Sequence, residues 1–245
     1  MKAVRGAILL ISLTLLPVAS FAQSPNTPAP KPSPSPPPNE RFVKALVRDQ
    51  KAIWTSPFRL KKDDAKWLVP LAAATTGLII ADRHTSAWVD RNGDLQPTSH
   101  GVSFLGSGYV VTGGAVGLYL FGHATHNAHN RETGKLMVEA IIGTGIVTQA
   151  LKFATGRDRP NDDLGKGHFF EHGKSFPSGH SSTSWAAATV LAMQYKHNRW
   201  IKYGAFAVAA AVSISRYSGR NHFMSDVLVG SALGYGIGRF VYNNR

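Results

Sequence analysis

Cysteine is absent from the chain, so neither a disulfide framework nor a thiolate metal site can form, and stability has to come from packing. Acid is scarce: 14 Asp and Glu face 27 Lys and Arg, a formal charge of +13 that falls to +11 if Lys2 and Arg5 leave with a signal segment. Such an excess favours anionic partners. The chain has no C2H2 spacing, no ribonucleoprotein-type aromatic strand and no long Lys/Arg run. Nucleic acid is thereby set aside, and a membrane surface or a phosphorylated small-molecule or lipid substrate is left. No fixed-period repeat is found, and the apolar stretches lack the period-2 alternation of half-buried strands.

What is present suits one globular domain with appendages: 245 residues, 43% hydrophobic and 17% charged. Met1-Lys2-Ala3-Val4-Arg5, an apolar run from Ala7 to Leu16, Pro17 and a small-residue stretch ending at Ala22 read as a signal peptide over 1–22. Residues 24–40 hold eight of the fourteen prolines, which makes 23–40 an extended, semi-rigid linker. One domain is expected over 41–245.

Within it, apolar stretches at 67–81, 102–122, 136–153, 182–195, 201–215 and 227–242 are rich in Ala, Leu and Gly and too long for strands. The expected fold class is all-α, a single bundle of about six core helices. Asp63 or Asp64 is placed to cap the first helix, and Pro160 bars continuation of the third. Gly230, Gly234 and Gly238 are four apart, the spacing that lets helices approach closely in a membrane or in water. Only 102–122 is free of charge over about twenty residues, since the others are shorter or carry Glu139, Lys152, Lys202 or Arg239. A cleaved signal would also put the basic stretch 41–66 outside, against the positive-inside tendency. The preferred expectation is therefore buried helices in an exported, periplasmic or extracytoplasmic domain, with an integral inner-membrane protein as the alternative.

Three clusters carry chemistry. Lys152 ends the third helix, with Arg159-Pro160 beyond it; alone these cations complement a helix C-terminus. Pro177-Ser178-Gly179-His180 opens the fourth helix: Pro fixes a turn, Gly allows close backbone approach, and free N–H groups hold an anion. Ser215-Arg216 is followed by His222 and Asp226, which are four apart, so on a helix the carboxylate would fix the imidazole tautomer. Three cations, a helix N-terminus, one His held by Asp and a second His free match the needs of phosphoryl transfer.

The order and spacing, Lys152 to Arg159-Pro160, then Pro177-Ser178-Gly179-His180, then Ser215-Arg216, His222 and Asp226, resemble the type 2 phosphatidic acid phosphatase superfamily, which includes bacterial acid phosphatases, lipid phosphate phosphatases and vanadium haloperoxidases. The resemblance covers 136–242. It implies an acid phosphatase/haloperoxidase-like helical fold and a cofactor-free, metal-free phosphatase for phosphomonoesters or lipid phosphates and pyrophosphates, with vanadate as a mimic of the pentavalent state. By this resemblance His222 forms a phosphohistidine, Asp226 orients it, and His180 is the acid and base. Lys152, Arg159, Ser178, Gly179 and Arg216 bind phosphate. A vanadium-dependent haloperoxidase, or a non-enzymatic binder of anions or lipid surfaces, are the alternatives.

Weaker patterns are read blandly. His123, His126 and His129 lack a helical metal face and read as a polar connection between helices. "DRNGD" over 90–94 lacks the later ligands of a calcium loop and reads as a turn at Asn92-Gly93. Arg157, Arg220 and Lys174 default to solvated surface charge, and Trp67 and Trp88 to packing at helix ends.

Overall fold

Helix starts are set locally by side chains that accept from the otherwise unpaired first-turn N–H groups. Ser107 accepts from the Val110 N–H at 3.3 Å, Asn127 from Asn130 at 3.0 Å, and Asn198 from Trp200 and Ile201 at 3.1 and 3.2 Å. Together with Ser178 they begin four helices of a computed structural model that describes residues 42–59, 61–91, 96–162 and 165–245. The signal peptide, the linker and the Asn92-Gly93 turn lie outside the described residues.

Eight α-helices follow: α1 (Phe42–Thr55), α2 (Ala65–Arg91), α3 (Gln96–Leu105), α4 (Gly108–Ala124), α5 (Ala128–Thr155), α6 (Gly179–Gln194), α7 (Arg199–Ser218) and α8 (Met224–Asn243). Two 3-10 turns, Ser56–Arg59 and Lys62–Asp64, connect α1 to α2. No strand occurs among the described residues, and the fold is all-α as expected. The six expected helices correspond to α2 and α4 to α8.

Several boundaries differ from expectation, each for a physical reason. Helix α5 ends not because of Pro160 but at Gly156, whose φ of 51° is left-handed and whose N–H bonds the Lys152 carbonyl at 3.0 Å. Asp64 does not cap α2; its carboxylate accepts the Lys61 N–H at 2.8 Å and closes the preceding 3-10 turn. Helix α2 continues past Ala81 through Asp82, because that acid is buried against a distant arginine rather than solvated. Helix α1 was hidden by its mixed composition, and the stretch expected as one helix over 102–122 is broken after Leu105, where Ser107 caps α4, so that its first residues belong to α3.

The core is made of small side chains. Ala115, Ala140, Ala186 and Val190 are fully buried, with Leu136, Ile141, Val147, Ile237 and Val241 around them. Helix α6 packs against α5, α7 and α8, α4 against α5, α3 against α7, and α2 against α8. The α6–α8 seam is the tightest, and the glycine spacing explains it. A Cβ at Gly230 would stand 2.5 Å from the Ser178 carbonyl and one at Gly238 2.7 Å from that of Ala186, while one at Gly234 would collide with the Ser182 carbonyl. At the other end, Arg245 pairs with Asp49 of α1 at 2.8 Å and with buried Glu139 of α5.

Burial of the long apolar helices does not hold for α2. The segments Lys62–Arg91, Ser99–Ala124 and Ala128–Thr155 are each long and apolar enough to cross a membrane, and none of the first one's most apolar 18-residue window is buried. Trp67 and Trp88 stand near the ends of α2, but 79% and 55% exposed rather than packed.

The α6–α8 seam yields a paired test. Gly234→Ala should destabilise by about 1–3 kcal/mol through overpacking, whereas Gly236→Ala, whose Cβ meets nothing within 4 Å, should be neutral or stabilising by up to about 1 kcal/mol. Thermal unfolding of the two purified variants checks this; equal melting temperatures would refute the close-approach role of Gly234.

Candidate active site

The three sequence clusters occupy one end of the bundle. Lys152 lies in the last turn of α5, Arg159 in the loop after it, Ser178 to His180 at the start of α6, Arg216 in the last turn of α7, His222 in the α7–α8 loop and Asp226 in the first turn of α8. Backbone bonds tie these ends together. The Ser178 N–H reaches the Asp226 carbonyl at 2.9 Å, and the His222 N–H reaches the Arg216 carbonyl at 3.2 Å. Gly179 presents no side chain where a Cβ would lie 3.8 Å from Lys152 Cε, so the N-terminus of α6 opens directly beside an ammonium group. That ammonium donates to the Lys174 carbonyl.

Ser178 is fully buried and caps α6: its hydroxyl accepts from the Ser181 hydroxyl at 3.1 Å and the Ser181 N–H at 3.5 Å. Arg216 is 8% exposed and donates to Ser103 of α3 at 2.5 Å, yet its Nε–H is buried with no partner. A buried donor without an acceptor costs free energy unless an anion fills the space.

His222 and Asp226 do not share a helix face as the spacing suggested. Helix α8 starts at Met224, and the loop curls His222 back so that its Nδ1 stands 3.6 Å from Asp226 Oδ2. Ser175 stands between them, donating to Asp226 Oδ2 at 2.5 Å and lying 3.4 Å from His222 Nδ1. Asp226 also accepts the Phe223 N–H at 2.9 Å, as an acid in a helix's first turn does.

Charge and burial set the protonation states. Burial pushes His222 down to about 4, with Lys152 and Arg216 adding to the shift and the Asp226 bond opposing it. His180 is likewise pushed down to about 4 by burial, then by the positive charges of Arg216, His222, Lys152 and Arg159. Asp226, which burial alone would raise, is held below the ordinary carboxylate value by its bond to His222 and by Arg157 and Ser175. Both imidazoles are therefore neutral at pH 7, and beyond burial the electrostatic cause in both is the neighbouring cations.

Arg157 is not a solvated surface charge. It is 1% exposed, with Nη1 donating to Asp226 Oδ1 at 2.7 Å and Nη2 to Asp82 Oδ2 at 2.9 Å. Arg220 is mostly shielded and pairs with Asp90; Lys174 is exposed, 5.5 Å from the Phe153 ring. His123, His126 and His129 span the α4–α5 turn, where His129 meets Tyr195 edge-on at 4.7 Å. Among the described residues no three His, Cys, Asp or Glu gather as a metal site. Sequence reasoning missed Ser175, Ser103 and Asp82. Only Asp82 carried a signal, as an acid at the end of an apolar run.

The chain has relatives in sequence and in fold. Residues 134–245 match the family described as the PAP2 superfamily. The chain is 30% identical over 121 residues to a lipid A 1-phosphatase of Porphyromonas gingivalis, covering 48% of this chain and 25% of that protein. It is 31% identical over 156 residues to lipid phosphate phosphatase 1 of Arabidopsis thaliana, covering 51% and 47%. The chain thus spans about half or less of the length of these curated relatives. Among solved structures it resembles LpxE of Aquifex aeolicus, with a TM-score of 0.50 and 26% identity over 61% of this chain and 86% of that one. A transmembrane PAP2 type phosphatidylglycerolphosphate phosphatase from Bacillus subtilis shares the fold, with a TM-score of 0.56 and 24% identity over 72% and 94%.

An anion entering the site should relieve the repulsion on His180 and raise its pKa. Between the free and bound values, binding must then take up a proton, and affinity must fall as pH rises through the bound value. Titrating sulfate into the protein at pH 6 in buffers of different ionisation enthalpy measures the uptake. Binding with no proton taken up, in wild type as in His180→Ala, would contradict the electrostatic picture.

Proposed function

With residues 134–245 forming a PAP2 superfamily domain, we propose that this chain is a membrane-embedded phosphatase that hydrolyses a lipid phosphate or pyrophosphate through a phosphohistidine at His222. The observation that carries the reading is the convergence of Lys152, Arg159 and Arg216 on His180, with Lys152 and Arg216 also beside His222, at the end of a bundle whose long helix α2 leaves its apolar surface uncovered. Relatives named for lipid A and lipid phosphates support a lipid substrate. Water would penalise an exposed apolar helix of 27 residues, while hydrocarbon would not. Extracytoplasmic placement of the site rests on the signal pattern of residues 1–22.

The steps follow from the groups present. Phosphate oxygens take the place of the missing acceptor for Arg216 Nε–H, with Lys152, Arg159, the Gly179 N–H and the Ser178 hydroxyl as further donors. Asp226 accepts from Nδ1–H of His222, which leaves Nε2 with its lone pair toward phosphorus. Nε2 forms the N–P bond as the ester P–O bond breaks, and His180 gives its proton to the leaving oxygen. Its depressed pKa is no obstacle, because the substrate's negative charge offsets the cations that lower it. His180 then takes a proton from water, whose oxygen attacks phosphorus and releases phosphate and free His222.

Replacing His222 with Ala should abolish hydrolysis of a chromogenic phosphate ester, and Arg216→Ala should lower kcat/KM by about 10²–10³-fold. Full hydrolysis by the His222 variant would refute the mechanism, and bromide oxidation appearing at stoichiometric vanadate would replace it with haloperoxidase chemistry. Partition of the expressed protein wholly into a detergent-free supernatant would refute the membrane placement.

A further inference from the structure

Asp226 has a second layer of control that begins outside the matched family segment. Asp82 belongs to α2, is 1% exposed, and lies 52 residues before the segment 134–245 begins. Its Oδ1 accepts the Ser225 N–H at 3.3 Å, and its Oδ2 accepts the Ser225 hydroxyl and Arg157 Nη2, the latter at 2.9 Å. Arg157 in turn donates through Nη1 to the Ser225 hydroxyl and to Asp226 Oδ1, both at 2.7 Å, and through Nε to the Gly167 carbonyl at 3.2 Å. Its guanidinium is sandwiched between the Phe169 and Phe223 rings, with centroids at 4.6 and 4.2 Å. One arginine thus bridges two fully buried carboxylates, and the second carboxylate also bonds the first-turn backbone of the helix that carries Asp226.

We propose that Asp82 is a positioning residue for His222, acting through Arg157 and Asp226 rather than by touching substrate. The charge count gives the reason. Arg157 paired with Asp226 alone would neutralise it, leaving a weak acceptor for the imidazole. Sharing Arg157 with Asp82 leaves the trio one net negative charge, and that charge faces His222 at 3.6 Å. The cations around the ring are Lys152 of α5 and Arg216 of α7, and the titratable group beside it is His180 of α6, neutral at pH 7. The cations disfavour a second proton on the ring, and an Asp226 that stays strongly anionic holds the remaining proton at Nδ1. A fold gains little stability from burying two carboxylates against one cation, since desolvation offsets the attraction. The arrangement is intelligible when the surplus charge is used next door. Asp82 also holds α8 at its first turn, which fixes the direction in which Asp226 points.

The catalytic consequence rests on the phosphatase reading; the effect on the imidazole does not. The full chain, in detergent or lipid, is compared with Asp82→Asn by kcat and KM on an ester that wild type hydrolyses. Orthovanadate affinity is measured as a check that the site is folded. His222 is followed by 15N resonances of histidine-labelled protein, assigned with a His222 variant. Expected are a kcat lower by about 10–100-fold with KM and vanadate affinity little changed, no further loss when Asp82→Asn is added to Asp226→Asn, and a His222 population that shifts from Nδ1–H toward Nε2–H. Wild-type kcat in Asp82→Asn, an equal loss in the Asp226→Asn background, or an unaltered His222 spectrum would each overturn the proposal. If Asp82→Asn does not fold, Arg157→Lys keeps the charge but lacks the fork that reaches both acids, and the same pattern is required of it. A wild-type protein that hydrolyses no ester would refute the phosphatase reading, while the His222 spectrum would still decide the role of Asp82.

Discussion

The carboxylate of Asp226 cannot be buried without donors, and the site is built from the groups that supply them. Arg157, the Ser175 hydroxyl and the Phe223 N–H all bond its two oxygens, and His222 faces it. Its backbone carbonyl meanwhile takes the Ser178 N–H. Satisfying this one residue therefore joins the start of α6, the start of α8, the loop after α5 and His222. An unpaired carboxylate here would cost several kcal/mol, so the arrangement is held far more firmly than any surface ion pair could hold it.

The opposite imbalance exists a few ångströms away. Lys152, Arg159 and Arg216 crowd together; burial first, and then the charge of all three at His180 and of Lys152 and Arg216 at His222, lowers the affinity of the imidazoles for protons. This keeps the proposed nucleophile unprotonated and makes the proposed acid responsive to what enters. Negative charge is thus buried and compensated on one side of His222, while positive charge is left uncompensated on the other. The imidazole lies at the boundary between an internal anion and the place reserved for an external one.

The bundle below needs only to hold those ends in register. It does so with alanine and glycine rather than with large side chains, so the α6 and α8 backbones come close enough for Gly234 to lie against the Ser182 carbonyl. Close approach over this seam places Ser178 and Asp226 within a hydrogen bond of each other. Helix α2 contributes differently. Its outward surface is apolar and uncovered, but its inward surface delivers Asp82 to Arg157, so the helix that would meet lipid also touches the network behind His222.

Much of this was legible in the linear chain. Lys152, Arg159, Ser178, Gly179, His180, Arg216, His222 and Asp226 fall in short clusters whose spacing reports local geometry: a helix end, a helix start, a turn. The helical class and the role of Gly230, Gly234 and Gly238 were readable for the same reason, because periodicity is a local property. Tertiary structure alone decided that Arg157 is a buried bridge, that Ser175 stands between His222 and Asp226, and that α2 is uncovered. Asp82 and Arg157 are 75 residues apart, and no local pattern records which distant acid will desolvate a given arginine. Spacing determines which side chains one turn can present together; burial, and with it the strength of every charge in the site, depends on what the rest of the chain packs against them.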